Sequence, residues 1–150
     1  MSLPARTAMA GIVSAGPGGF YFEWNGLAVY VDPSQKVEGG RPADVICLSC
    51  NDPSPAQRSA VEAVANPATI VAGAPACVGL FRLNQLPFSP GHKRMVLEME
   101  IEAFADGRGG LGFAIAAGGS KVVFKEGSWV DAGVVADQAA AAAAGAGARA

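Results

Sequence analysis

The sequence predicts an α+β protein built mostly of short strands, with few helices. From Thr7 to Gly133 brief apolar runs alternate with Gly and Pro, a rhythm that suits strands of about four to eight residues better than long helices. Asn25-Gly26 stands between two such runs and signals a hairpin, because both central positions of a type I′ turn need positive φ. Ser54-Pro55-Ala56-Gln57 supplies an N-cap serine, a proline at the first helical position and a glutamine at the third, the capping box of one helix.

In chain order, Met9–Ser14 reads as a first strand, Ala15–Gly19 as a turn and Phe20–Trp24 as a second strand. Past Asn25-Gly26 the chain returns as Leu27–Val31, ended by Asp32-Pro33-Ser34. Lys36–Pro42 is a polar loop leading to Val45–Leu48, whose unbroken apolar run suits a strand buried on both faces. The capped helix runs from Pro55 to Ala65. Ala68–Ala72 follows as a strand, Pro75–Phe81 as a short helix, then Gln85–Phe88 and a turn at Ser89-Pro90-Gly91.

Met95–Phe104 is expected to be one strand, with Met99, Ile101 and Ala103 inward and Glu98, Glu100 and Glu102 on a wet, edge-protecting face. Gly107–Gly112 matches G-x-G-x-x-G, but it opens onto the strand Phe113–Ala116. With no helix N-terminus to cradle phosphate, it reads as a hairpin loop. Gly118-Gly119 turns the chain into Lys121–Phe124, and Glu126-Gly127-Ser128-Trp129 closes the ordered part. The Ala/Gly-rich remainder is low-complexity, so the expected division is a domain over 1–133 and a tail over 134–150.

A chain of 150 residues that is 51% hydrophobic suits one domain with its own core. Its net charge of −2 offers no field for phosphate backbones, so nucleic acid is not an expected partner. No apolar run approaches the roughly 18 residues that span a bilayer, and the N-terminus lacks a signal pattern. The expectation is a soluble cytoplasmic protein, not a membrane one. Cys47, Cys50 and Cys77 are too few for a disulfide framework and are expected to be reduced. Cys47 and Cys50 form a C-x-x-C, yet Cys47 lies inside a strand, away from the helix start or knuckle that a redox or zinc pair uses.

The stretch Ala43–Pro55, ADVICLSCNDPSP, resembles the metal-binding loop of the metallo-β-lactamase superfamily, in which a buried strand ends in T-H-x-H-x-D-H. In register, Cys50, Asp52, Ser54 and Pro55 stand where that family has His, His, Asp and His. The resemblance continues in order. Gly16-Pro17-Gly18-Gly19 matches a G-H-A-[ST] turn with Pro17 at the histidine; Phe20–Glu23, Gly26–Val31 and Asp32-Pro33 follow, then Pro90-Gly91, Leu111-Gly112-Phe113 and Glu126-Gly127-Ser128-Trp129. It is similar to the small branch of predicted metal-dependent hydrolases that includes ascorbate-6-phosphate lactonase.

The resemblance covers roughly Thr7–Val130 and implies an abbreviated αββα sandwich, two mixed or antiparallel sheets face to face with helices outside. Family members run on through further βα units, so it also implies a truncated member.

The family's chemistry needs about three nitrogen, sulfur or oxygen ligands and an open position for water. Proline has no donor atom and serine is a poor ligand, so no catalytic residue and no cofactor are expected. Ser54 and Pro55 are also fully explained as helix-start residues. The alternative is a zinc hydrolase of a small ester, lactone or phosphoester with a reworked site of Cys50, Asp52 and Glu126, drawing on Asp32 and on Asp131 or His92. Cys50 or Ser128 could serve as a nucleophile, but His92 is the one histidine and no triad can be built. The favoured expectation is a non-catalytic structural or interaction module, perhaps a subunit of an assembly, that binds a protein partner or itself. Phe20, Phe22, Trp24 and Trp129 are its candidate contacts.

Overall fold

The computed structural model describes residues 11–134. Among the described residues, eleven strands form two sheets, of six and five strands, and two helices connect strands of the first. The first holds β1 (Val13–Ser14), β2 (Phe20–Trp24), β3 (Leu27–Val31), β4 (Val45–Leu48), β5 (Ile70–Gly73) and β6 (Asn84–Pro87), side by side in chain order. The β1–β2 and β2–β3 pairs are antiparallel; β3–β4, β4–β5 and β5–β6 are parallel. Helices α1 (Pro55–Val64) and α2 (Pro75–Val78) make two of the crossovers that parallel neighbours require.

The second sheet is an antiparallel meander in the order β11-β10-β9-β8-β7. Its strands are β7 (Lys93–Val96), β8 (Met99–Ala105), β9 (Leu111–Ala117), β10 (Ser120–Lys125) and β11 (Ser128–Val134).

Burial follows from the apolar pattern. In β4 all four residues are buried, one face toward the second sheet and the other toward the helices. Between the sheets, Phe22, Val29, Val45 and Cys47 share a core with Ile101, Phe113, Ile115 and Phe124. The rings of Phe22 and Phe124 stack with centroids 6.0 Å apart, and Phe88 meets Phe113 edge-on at 6.2 Å. On the other face of the first sheet, Tyr30, Ile46 and Val71 cluster with Val61 and Val64 of α1 and Cys77 and Val78 of α2. Tyr30 donates to the carbonyl of Arg41 at 2.7 Å and fastens the 36–42 loop over this layer.

The expected elements are present with four main departures, the first being that β1 holds only Val13–Ser14 of the expected Met9–Ser14 strand, Gly11 and Ile12 lying outside it. Met95–Phe104 is not one strand: Leu97 and Glu98 take φ of 49° and 74° and form a tight turn between β7 and β8. Val96 and Met99 are thereby paired and buried, and that burial holds two residues with no intrinsic preference for the left-handed region. Glu98 thus sits in the turn, leaving Glu100 and Glu102 on the strand face. The ordered chain also does not close at Trp129; it continues as β11, an edge strand whose pairing with β10 shifts register between Lys121 and Val122. Val134, expected in the tail, ends this strand. Helix α2 stops at Val78, short of the expected Phe81. Residues 135–150 and the start of the expected first strand, Met9 and Ala10, lie outside the described residues.

Candidate functional site

The loops following β1, β3, β4, β8 and β10 include the residues that could act chemically. Asp32, just past β3, holds φ of 48°, and its backbone N–H donates to the Cys47 carbonyl at 2.9 Å. Its carboxylate accepts from Ser49 N at 2.8 Å and Ser49 Oγ at 2.6 Å. Two parallel strands are stapled at their ends by one aspartate and one serine. Burial pushes the Asp32 carboxyl above its ordinary value, the Ser49 hydrogen bonds oppose that, and nearby Asp106 adds to it.

The loop after β4 is then closed by the glycine loop between β8 and β9. Leu111 N donates to the Ser49 carbonyl at 2.7 Å, and Asn51 Nδ2 donates to the Gly109 carbonyl at 3.1 Å. A Cβ on Gly110 would stand 2.5 Å from the Ser49 carbonyl oxygen and 3.0 Å from Asp106 Oδ2. Asp106 Oδ1 accepts from Arg108 N at 2.7 Å and Gly110 N at 3.1 Å and shapes this turn. Gly110 therefore permits backbone contact with the loop after β4, and the element that the glycine loop opens is β9, not a helix.

Each residue at a metal-loop position has another partner or faces water. Ser54 Oγ accepts from Gln57 N at 3.1 Å while Gln57 Oε1 accepts from Ser54 N at 3.0 Å, completing the capping box, and Pro55 opens α1. Cys50 Sγ donates to the same Gln57 Oε1 at 3.6 Å. Asp52 is exposed. Desolvation, followed by the Asp32 charge, raises the Cys50 thiol; burial raises the Cys77 thiol to about 12 and drives Cys47 higher still. The C-x-x-C cysteines are separated by the strand end, Cys47 inside the core between the sheets and Cys50 in the loop after β4, its thiol directed to Gln57 on α1's first turn.

A cleft of about 10 Å³ opens between the sheets here, lined by Gly18, Phe20, Asp32, Ser49, Glu126 and Ser128 among others. It has room for about one water. Asp32, from the end of β3, and Glu126, from the β10–β11 turn, both line it, but Cys50, Asp52, Ser54 and Pro55 do not. Among the described residues no three His, Cys, Asp or Glu side chains are grouped to hold a metal, so Cys50, Asp52 and Glu126 do not converge. The residues present do not fit a zinc ion. His92 lies in an exposed turn, its Nδ1 accepting from Ser89 N at 3.1 Å.

Of the expected contact aromatics, Phe22 is 0% exposed and Trp24 is buried in the same core, while Phe20 is partly buried against Phe124. Their alternation on β2 faces Phe20, Phe22 and Trp24 toward the second sheet, which makes Phe22 and Trp24 core residues and leaves Phe20 partly accessible at the cleft. Trp129, on the edge strand, is 38% exposed. Two polar residues central to this end of the molecule, Ser49 and Asp106, were not singled out from the sequence. A serine directly after an apolar strand and an Asp-Gly at a hairpin were the available signals.

No protein-family model matches the sequence, and no curated protein does. Among solved structures the chain is similar to a provisionally named metal-dependent hydrolase of Parabacteroides distasonis, with TM-score 0.60, 17% identity, and 75% of this chain aligned to 58% of that one. It is also similar to a Cronobacter sakazakii metallo-β-lactamase with a HARLDQ motif (TM-score 0.54, 11% identity, 79% of this chain and 60% of that one). A mutant of that motif aligns at TM-score 0.56 and 10% identity, over 77% of this chain and 60% of the other. The chain has the metallo-β-lactamase fold, and it spans about 60% of the length of the structures it matches.

Proposed function

We propose that this chain is a non-hydrolytic version of the metallo-β-lactamase fold that works as a structural or protein-interaction module, without a zinc cofactor. One observation carries the reading. Three of the four residues at the metal-loop positions serve the fold: Ser54 caps α1 together with Gln57, Pro55 starts it, and Cys50 donates to Gln57, while Asp52 faces water. Asp32, whose carboxylate reaches the first residue of the loop after β4, is engaged by two donors of Ser49.

The cleft supports the same reading, since about 10 Å³ compares with roughly 300–1,000 Å³ for small-molecule pockets. A cytoplasmic setting fits the three free cysteines, and no helix of the described residues is long and apolar enough to cross a membrane.

The test is hydrolysis of a lactone, a carboxylic ester and a phosphodiester by the purified chain with added Zn²⁺ or Mn²⁺, alongside affinity purification of the native protein with stoichiometry. The reading expects no turnover above buffer and a fixed partner or self-association. Metal-dependent turnover that disappears in both Cys50→Ser and Asp52→Asn would overturn it.

A further inference from the structure

Four strands lie at the edges of the two sheets, β1 and β6 in the first and β7 and β11 in the second. Three of them are poor templates for a further strand. β1 is two residues long, and β11 is bent where its pairing with β10 shifts register. On β6, Asn84 N and Phe88 N donate to the carbonyls of Thr69 and Gly73, so alternation turns Gln85 and Pro87 outward, and proline brings no N–H.

β7 is different. The His92 carbonyl accepts from Ala103 N, and Arg94 pairs with Ile101 and Val96 with Met99 in a regular register. The alternation of an antiparallel ladder therefore points the N–H and C=O groups of Lys93 and Met95 away from β8, along the open edge. Both residues are exposed, Met95 at 68%. No proline interrupts Lys93–Val96.

Side chains give this edge a sign. Arg94 shares the inward side of β7 with buried Val96, and its guanidinium lies 5.4 Å from the centre of the Phe88 ring. On that side β8 presents Met99, Ile101 and Ala103, all apolar, and the sequence holds no acidic residue between Glu62 and Glu98. Glu100 and Glu102 stand instead on the outer side, opposite Met95 and Lys93. An incoming strand thus meets a cation on its inward side, and on its outward side an apolar side chain beside two acids. A second copy's β7 would bring its own Lys93 and Arg94 against the same charges, which excludes it.

We infer that β7 is the docking edge for an extended segment of a partner protein, one that alternates acidic with apolar residues, adds a strand beyond β7 and sets a carboxylate against Arg94. This deepens the interaction-module reading and rests on it. The experiment is amide NMR of the isotope-labelled full chain, titrated at low salt with a short peptide alternating valine and glutamate, and with its glutamine-for-glutamate counterpart. The Lys93 and Met95 amides are expected to shift most and to gain exchange protection, and the glutamate peptide to bind about tenfold tighter than the glutamine one. Arg94→Gln reduces that preference to less than about threefold. Met95→Pro removes an outward N–H at an exposed edge position, where a strand tolerates proline, and weakens both peptides about tenfold.

Circular dichroism verifies folding of each variant, and Arg94→Gln decides alone if Met95→Pro unfolds the chain. No binding of the glutamate peptide at millimolar concentration overturns the inference, and so do equal binding of the two peptides, shifts centred away from β7, or a preference that survives Arg94→Gln. Inorganic polyphosphate that displaces the peptide and reproduces its shifts identifies a general anion surface and overturns it as well. Failure of the peptide to bind a chain that hydrolyses none of the three substrates refutes this inference alone, whereas metal-dependent turnover refutes the reading beneath it.

Discussion

Replacing Asp32 by alanine removes the acceptor of two short hydrogen bonds, from Ser49 N at 2.8 Å and Ser49 Oγ at 2.6 Å. Losing both costs about 2–3 kcal/mol, counting roughly 1 kcal/mol per bond and a little more for a donor left without a partner. Alanine at φ of 48° adds about 1 kcal/mol. The sum, about 3–4 kcal/mol, is a large share of the roughly 5–15 kcal/mol that holds a domain together.

Asparagine behaves differently. Its carbonyl can accept from Ser49 N, its amide can donate to Ser49 Oγ, and it tolerates left-handed backbone better than most residues. Asp32→Asn is therefore expected within about 1 kcal/mol of wild type. The pH dependence separates the two further. Because burial raises the Asp32 carboxyl in the folded state, folding binds its proton more tightly than the unfolded chain does. The resulting stabilisation is complete below the ordinary value of 3.8 and is lost as pH climbs through the raised folded value.

Asp32→Asn has no such loss, so its stability should gain on wild type as pH rises from about 4 toward neutrality. Urea denaturation followed by circular dichroism across that range measures both effects. Equal cost for alanine and asparagine, or an asparagine variant that falls behind wild type as pH rises, would refute the structural role assigned to Asp32.

Three other substitutions or treatments follow from the same end of the molecule. Ser54→Ala, which deletes the N-cap acceptor of α1, should lower stability by about 1 kcal/mol in the same denaturation assay. Gly110→Ala presses a methyl against the Ser49 carbonyl oxygen and should cost about 1–3 kcal/mol, with the Leu111 and Asn51 amide protons losing exchange protection first. In the native state Cys50, partly exposed, should react with a thiol reagent well before buried Cys47 and Cys77. Because burial raises its thiol, the rate should still be climbing with pH beyond the ordinary cysteine range near 8.5. Simultaneous labelling of all three would contradict this.

Local chemistry was readable wherever one residue type answers one demand. Asn25-Gly26 forms the expected turn, with both residues at positive φ, and Ser54 with Gln57 forms the expected capping box. The fold too was legible, through a series of individually weak matches in the right order. What escaped was set by partners distant in sequence. The turn at Leu97-Glu98 arises because Val96 and Met99 are both buried across it, not from any turn preference of its own.

Likewise β11, which runs past the expected close at Trp129, owes its strand to the edge of β10. The aromatic run of β2 could not be assigned to core or surface until the second sheet supplied Phe124 opposite Phe22. Ser49 drew no notice because its function depends on Asp32, seventeen positions away.

Zinc bound per chain, determined by equilibrium dialysis of the full chain against micromolar Zn²⁺ followed by metal analysis, tests most directly whether the loop after β4 serves the fold instead of a metal. The loop's commitment to α1 and to Asp32 predicts binding far below one equivalent, unchanged in Cys50→Ser and Asp52→Asn. One equivalent of zinc, lost in either variant, would contradict it.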